Sequence, residues 1–558
     1  MPVRETVAVR RRSVLFAMFA LAQAAVAPAQ SQAVRTLSAV EGEAPRVGLR
    51  LLAAVPIDGA EIPAHCPETG AVFVTASAGI SMLQLGYGSR FEVVRTIDLA
   101  VAGEEFALDG ASATHVAVDP AGRRFAAAAV VPEDHAGVPG RVLLLATATG
   151  EPLASLIVGY HPDCVAFTPD GSRLLVANEG EPMVYPDGSV CDPPGSVSVI
   201  DLSFVADHDD PALLSRAHVR TAYFEGPALD AALALPCDAD KRLRIHPRCA
   251  SSPASDLEPE YIVGHGERAW VTLQENNAIA VLNLATFRWE RIAGLGTIHQ
   301  TLDASDRDGG ALVRQQFDTL PMPDQMALIE GPTGLFLLTA NEGDTRGRMG
   351  EGGAVLADRA RFADLSEQGR LSPADAFRHD RSEAGVGRLF VCGFWGDIDG
   401  DGRPEAPAAQ GSRSISVHRA DTLERVADTG SQIESALAAL VPDIFNASDE
   451  SPPTPDDRSP ERGPEPEGIA IGVIDDARYA FVSCERPGAV AIVDVTIPSM
   501  PRLVAIEPAA REGLLGPEGL CFIPASRGGG GRDLLLVAFE GSGKLAVYEV
   551  TAARNGSR

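Results

Sequence analysis

A chain of 558 residues, 45% hydrophobic and 22% charged, has the composition of a folded globular protein. Its formal net charge of −29 offers no basic face to a phosphate backbone and so excludes a nucleic-acid partner. With 55 glycines and 41 prolines it is rich in turns, as an all-β chain requires.

The N-terminus reads as an export signal. Arg4, Arg10, Arg11 and Arg12 precede an apolar run from Ser13 to Ala22, and Ala27-Pro28-Ala29 supplies a cleavage site. This order predicts removal of residues 1–29, and the run is too short to span a bilayer. Arg11-Arg12-Ser13-Val14-Leu15 leaves both the general and the twin-arginine export routes open. Residues 30–46 read as a linker and 553–558 as a tail. The expected product is a periplasmic or secreted monomer with no membrane span, acting on a small-molecule or extracellular ligand. The eight cysteines show no CxxC spacing, which excludes a zinc ribbon or thioredoxin-type site. Cys237 and Cys249 flank a loop where they can pair, whereas Cys164, Cys484 and Cys521 fall on inner strands as buried thiols.

From residue 47 onward short strands alternate with turns about every ten residues. Strands are predicted at 49–55, 61–65, 71–75, 81–85 and 92–99, then at 115–118, 124–131, 141–146 and 152–158. Asp119-Pro120-Ala121-Gly122 and Pro169-Asp170-Gly171-Ser172 are hairpin turns with glycine where a positive φ is needed. Residues 203–256 break the rhythm, with short helices predicted at 212–217 and 228–235. A fourth unit covers 258–295. A fifth begins at Met322, is interrupted by a mixed-charge insertion at 343–411, and resumes at Ser412. Residues 446–463 form a loop rich in Asp, Ser and Pro, and two more units close the chain. Seven units, near 50–100, 105–158, 160–203, 258–295, 322–428, 464–505 and 514–550, each hold about four strands. That pattern predicts an all-β, seven-bladed β-propeller of the YVTN/WD type over residues 47–552, closed where the first and last units meet. Residues 203–256 and 343–411 are then excursions outside the blades.

One phrase recurs five times: Pro-acid, apolar strand, turn, apolar strand, Glu. The pairs are Asp163 with Glu179, Glu260 with Glu275, Asp324 with Glu342, Glu467 with Glu485, and Glu518 with Glu540. The first acid opens an inner strand and the second ends its antiparallel partner, so both reach one mouth of the ring. Carboxylates crowded in this way repel unless cations neutralise them. Oxygen-only donors select a divalent hard cation, calcium first. Asp397, Asp399 and Asp401, with Gly402, follow the start of a calcium-binding loop of EF-hand type, although Ala408 stands where the bidentate Glu belongs. Residues 302–309 are a second acid-dense turn. His65, His115 and His161 occupy corresponding first strands and are candidates to face the channel. No HExxH, GxSxG or phosphate-binding loop occurs.

These residues resemble the choice-of-anchor I family of exported bacterial β-propellers. The resemblance lies in Phe167-Thr168-Pro169-Asp170-Gly171, in LLVANEGEP from Leu174, in GSVSVID from Gly195 and in LEPEY from Leu257. It continues with VTLQENNAIAV from Val271, LDASDRDG from Leu302, TANEGD from Thr339, GPEPEG from Gly463 and GPEGL from Gly516. Some family members carry the label alkaline phosphatase, and animal relatives are called mesenchyme-specific cell-surface glycoproteins. Two departures from the pattern are read: His161 precedes Pro162-Asp163, and no C-terminal anchor is expected after the last unit. The expected function is that of an exported calcium-binding propeller, ligand-binding or surface-associated. The alternative is a metal-dependent phosphoesterase, whose cations would bind phosphate oxygens and activate water. Against it, no Lys or Arg is evident at the channel.

Overall fold

The computed structural model describes residues 47–552, except 86–90, 107, 109, 123–124, 206–210, 237–240, 247–251, 351–352, 374–377, 449–452 and 528–529. The signal segment, the linker, the tail and the pair Cys237 and Cys249 lie outside the described residues.

Among the described residues are seven four-stranded antiparallel sheets. Their inner strands are Pro63–His65, Ser112–Val118, Pro162–Phe167, Pro259–His265, Met326–Gly331, Pro466–Ile474 and Pro517–Ile523. Each touches the next, and the last touches the first. The apolar cores follow the same order, one between each consecutive pair of sheets, including the seventh against the first. Sheets covered on both faces need strands that are apolar throughout rather than alternating. Phe125–Val131 is accordingly buried at every position. The chain is a β-propeller, since stacking around a ring is what buries both faces of each sheet.

Closure differs from the simplest reading of the sequence. Val47–Pro56 belongs to the seventh sheet, not the first, and pairs antiparallel with Lys544–Ala552 from Val47↔Ala552 to Pro56↔Lys544. The first unit therefore starts at Pro63, and the C-terminal unit supplies three strands of its own. Local pattern could not reveal this, because a strand looks the same whichever sheet it joins.

A second correction concerns residues 203–256. His218–Tyr223 is the outer strand of the third sheet, paired with Ser196–Asp201. The short helices Pro211–Leu214 and Pro227–Leu233 flank it. Outside the blade sheets, Ile298–Leu302 and Gln315–Leu320 join Ala409–Gln410, Phe390–Cys392 and Arg359–Arg361 in a five-stranded sheet. It packs over its own apolar core around Phe317, Phe362 and Leu389. The typed turns form as expected, with Gly122 at φ 72° and Gly171 at φ 68°. Cys164 and Cys484 are buried free thiols, and Cys521 is half-buried and free.

Candidate functional site

The repeated phrase has a common backbone. In the third, fourth, sixth and seventh sheets the pairing register slips just after the proline, at Pro162/Cys164, Pro259/Ile262, Pro466/Ile469 and Pro517/Leu520. The acid after the proline thus sits in a β-bulge, which turns its side chain out of the ladder. The residue before the proline is held at positive φ in four of the five copies: His161 at 45°, Met322 at 47°, Glu465 at 49° and Gly516 at 60°. Its carbonyl accepts a backbone N–H from the far end of the hairpin, from Glu179 (2.8 Å), Gly343 (3.0 Å), Glu485 (3.0 Å) and Glu540 (2.8 Å) respectively. This bond brings the second acid level with the first.

The outcome is a cavity of about 520 Å³ at the inner strand ends, lined by Asp163, Glu179, Glu260, Glu275, Asp324, Glu342, Glu467, Glu485 and Glu518. Glu540, the tenth repeated acid, is not part of the lining and is exposed. Two trios stand out, with a carboxylate oxygen from each member within 4.8 Å of the others: Asp163, Glu179 and Glu260, and Asp324, Glu342 and Glu467. Each trio joins both acids of one hairpin to the first acid of the next sheet. A third trio is Glu342, Glu465 and Glu485.

Burial dominates the electrostatics. It pushes Asp163 up to about 7, with Glu179 adding to the rise and His161 opposing it. Glu342 also rises to about 7 through burial, against the pull of Arg462. Glu260, Glu275, Asp324, Glu467 and Glu485 are all raised by burial first and by neighbouring carboxylates second. Glu465 is the exception: burial alone would raise it, but Arg462, Arg458 and Arg486 bring it down to about 2. Glu275 Oε2 and Glu467 Oε2 are buried without a hydrogen-bond partner among the described residues. Buried oxygens of this kind are costly unless something electropositive meets them. The donor set is all oxygen, half-buried and convergent, and it fits a hard divalent cation.

Several lining residues escaped the sequence reading. Glu61 faces the cavity from just ahead of the first inner strand, and burial, then Glu518 and Asp163, raise it. Glu258 is pushed up to about 8 by burial and lies 2.8 Å from Arg346. An acid on both sides of the proline, in Glu258-Pro259-Glu260 and Glu465-Pro466-Glu467, was the available signal. Arg346, Arg462 and Arg486 also line the cavity, which corrects the expectation that no Arg stands there. Arg346 comes from the excursion and Arg462 from the Pro-rich loop, where no local motif marked them, whereas Arg486 directly follows the repeated acid Glu485 and was visible as its basic neighbour. Arg462 pairs with Glu342, Glu465 and Asp344, and Arg486 pairs with Glu485.

Of the other candidates, His115 joins this lining and the rest do not. Asp397, Asp399 and Asp401 sit on a partly exposed loop and are not part of the cavity lining. Asp397 accepts the N–H groups of Gly400 (2.9 Å) and Gly402 (3.0 Å), Asp399 that of Asp401 (3.0 Å), and Asp401 pairs with Arg403 (2.6 Å). In the turn at 302–309, Asp303, Asp308 and Asp456 approach one another within 4.8 Å. Of the histidines, His115 lines the cavity, edge-on to Tyr261, and burial lowers it to about 4. His65 is lowered to about 4 by burial and is not in the lining. His161 stands just before its strand rather than on it, and its Nδ1 is 2.8 Å from Glu179.

The choice-of-anchor I domain model matches residues 61–498. The chain belongs to the choice-of-anchor I family. As a choice-of-anchor I domain on a propeller fold, it falls among surface-associated propellers, and among its described residues no helix is long and apolar enough to cross a membrane. Gigasin-3a of Magallana gigas is 36% identical over 121 residues, covering 21% of this chain and 41% of the relative. The mesenchyme-specific cell surface glycoprotein of Strongylocentrotus purpuratus is 29% identical over 222 residues, covering 35% of this chain and 28% of the relative. The matches thus span less than half of either relative. Among solved structures, Kuenenia stuttgartiensis hydrazine synthase aligns over 89% of this chain and 97% of its own, at 13% identity and a TM-score of 0.44.

Proposed function

We propose that this choice-of-anchor I protein is an exported propeller that binds calcium in its carboxylate cavity and presents those ions to an extracellular ligand. The observation that carries the reading is the construction of the two trios, each from one hairpin pair plus the first acid of the next sheet. A cation there bridges neighbouring blades and relieves the repulsion among buried carboxylates. It therefore stabilises the closed ring, by about 2.7 kcal/mol at a hundredfold excess over Kd.

The test is thermal unfolding with and without chelator, coupled to elemental analysis of the purified protein. Chelation is expected to lower the melting temperature, and calcium to restore it better than sodium at matched ionic strength. Glu467→Gln combined with Glu485→Gln is expected to shrink the calcium increment. An undiminished increment in that variant defeats the reading.

A metal-dependent phosphoesterase is the second reading, favoured by Arg346, Arg462 and Arg486 in the lining. Guanidinium groups bind phosphate oxygens bidentately. All three are already engaged by carboxylates, so binding ranks ahead of hydrolysis. Calcium-dependent turnover of a phosphate ester, abolished by chelator, would reverse that ranking.

A further inference from the structure

At one edge of the carboxylate cavity the donor chemistry changes from oxygen to nitrogen. His135, His161 and Glu181 each place a ligating atom within 4.8 Å of the other two. His135 Nε2 and His161 Nδ1 both lie 3.2 Å from Glu181 Oε2, and the two rings stand side by side with centroids 4.9 Å apart. The side chains are 14%, 16% and 19% exposed, sheltered but reachable from solvent. Glu179 Oε2 is also 2.8 Å from His161 Nδ1, although Glu179 belongs to the neighbouring trio with Asp163 and Glu260.

The backbone holds these groups from two sheets. His135 lies in the loop between Phe125–Val131 and Arg141–Ala146 of the second sheet. There Asp134 accepts the N–H of Gly137 (3.0 Å) and the hydroxyl of Tyr185 (2.8 Å). His161 occupies the left-handed position before Pro162, and Glu181 follows the strand Arg173–Asn178. In the other four copies of the phrase that pre-proline place holds Glu258, Met322, Glu465 or Gly516, so the nitrogen donor is confined to this repeat.

We propose that His135, His161 and Glu181 form a binding site for a first-row transition ion, zinc foremost. Two imidazoles and a carboxylate are a donor set suited to zinc and foreign to calcium, which takes oxygen alone. Zinc bonds of 2.0–2.1 Å set tetrahedral ligands roughly 3.3 Å apart, and the two nitrogen-to-Glu181 separations of 3.2 Å match that edge. The inference goes beyond the calcium reading and does not depend on it.

Cobalt(II) is the probe, added to the full mature chain in excess calcium, followed by visible absorption and by metal counting after dialysis. The expected result is one equivalent bound, with the intense bands of a tetrahedral ion, displaced by zinc. His135→Ala and His161→Asn are each expected to weaken uptake at least tenfold. Asn tolerates the left-handed backbone at 161, so loss of the turn does not imitate loss of a ligand. Glu467→Gln with Glu485→Gln is expected to leave cobalt binding intact. No cobalt bound by the parent chain, equal binding by both histidine variants, or loss of binding in the double glutamine variant would each overturn the proposal.

Discussion

At the scale of single residues, the site depends on how closely one blade's backbone can approach the next blade's acid. Gly468, directly after Glu467, is such a point. A Cβ there would lie 2.4 Å from the carbonyl oxygen of Glu518 and 2.8 Å from Ser483 Oγ. Gly519 repeats the arrangement one sheet on, where a Cβ would meet the carbonyl of Glu61 at 2.7 Å, the same carbonyl that accepts the Gly519 N–H. The obstacle is backbone, which cannot rotate away. Gly468→Ala is therefore expected to destabilise the fold by about 1–3 kcal/mol, the usual cost of overpacking. Denaturant titration checks it; a variant as stable as the parent would show that the sheets can separate freely. The glycines were visible in GPEPEG and GPEGL, but their role requires the neighbouring blade.

At the scale of elements, the N-terminal strand is the clasp of the ring. Val47 and Leu49 are buried against the sixth and seventh sheets, and the strand pairs along its length with Lys544–Ala552. Its contacts join the two ends of the described chain, so most of the polypeptide lies inside the loop it closes. A chain starting at Ile57 would leave the seventh sheet with an uncovered edge, a template for association. Deleting residues 47–56 is expected to lower the melting temperature more than Leu49→Ala does, a change worth about 2–5 kcal/mol, and to promote aggregation. Circular dichroism melting and light scattering read both effects. A monomeric deletion variant melting with the parent would remove the clasp from the account.

At the scale of the whole molecule, charge and pH act on the ring together. Asp163 and Glu342 are pushed up to about 7 and Glu258 to about 8, burial being the leading cause in each. A folded value above the unfolded one means that protons stabilise the fold at low pH, and that this contribution is lost as pH rises through 7 to 8. His115, at about 4, and His418, at about 3, act in the opposite direction, both through burial. Their folded values lie below the ordinary 6.5, so they cost stability only as pH falls below it. Between about pH 6.5 and 8.5 the carboxylates dominate. In chelator the melting temperature is expected to fall across that window; with calcium bound the decline should flatten, because the ionised carboxylates are then neutralised. A chelated protein whose melting temperature stays level from pH 6.5 to 8.5 would contradict the cluster's electrostatics.

Strand, turn and motif were legible because they are local. Period and turn chemistry in segments such as 124–131 and 169–172 follow from steric preferences of neighbouring residues, and the five Pro-acid phrases announced five equivalent hairpins. Which sheet a strand joins is not local. Residues 47–56 read as a strand and 218–223 as part of an excursion outside the blades, but packing sent the first to the seventh sheet and made the second the outer strand of the third. The cavity divides in the same way. Nine repeated acids reached it because each is positioned by its own hairpin, whereas Arg346 and Arg462 reached it from loops whose path is set by contacts with other blades. Side chains placed by their own backbone turn are written in the sequence; those placed by a distant surface are decided only when the ring closes.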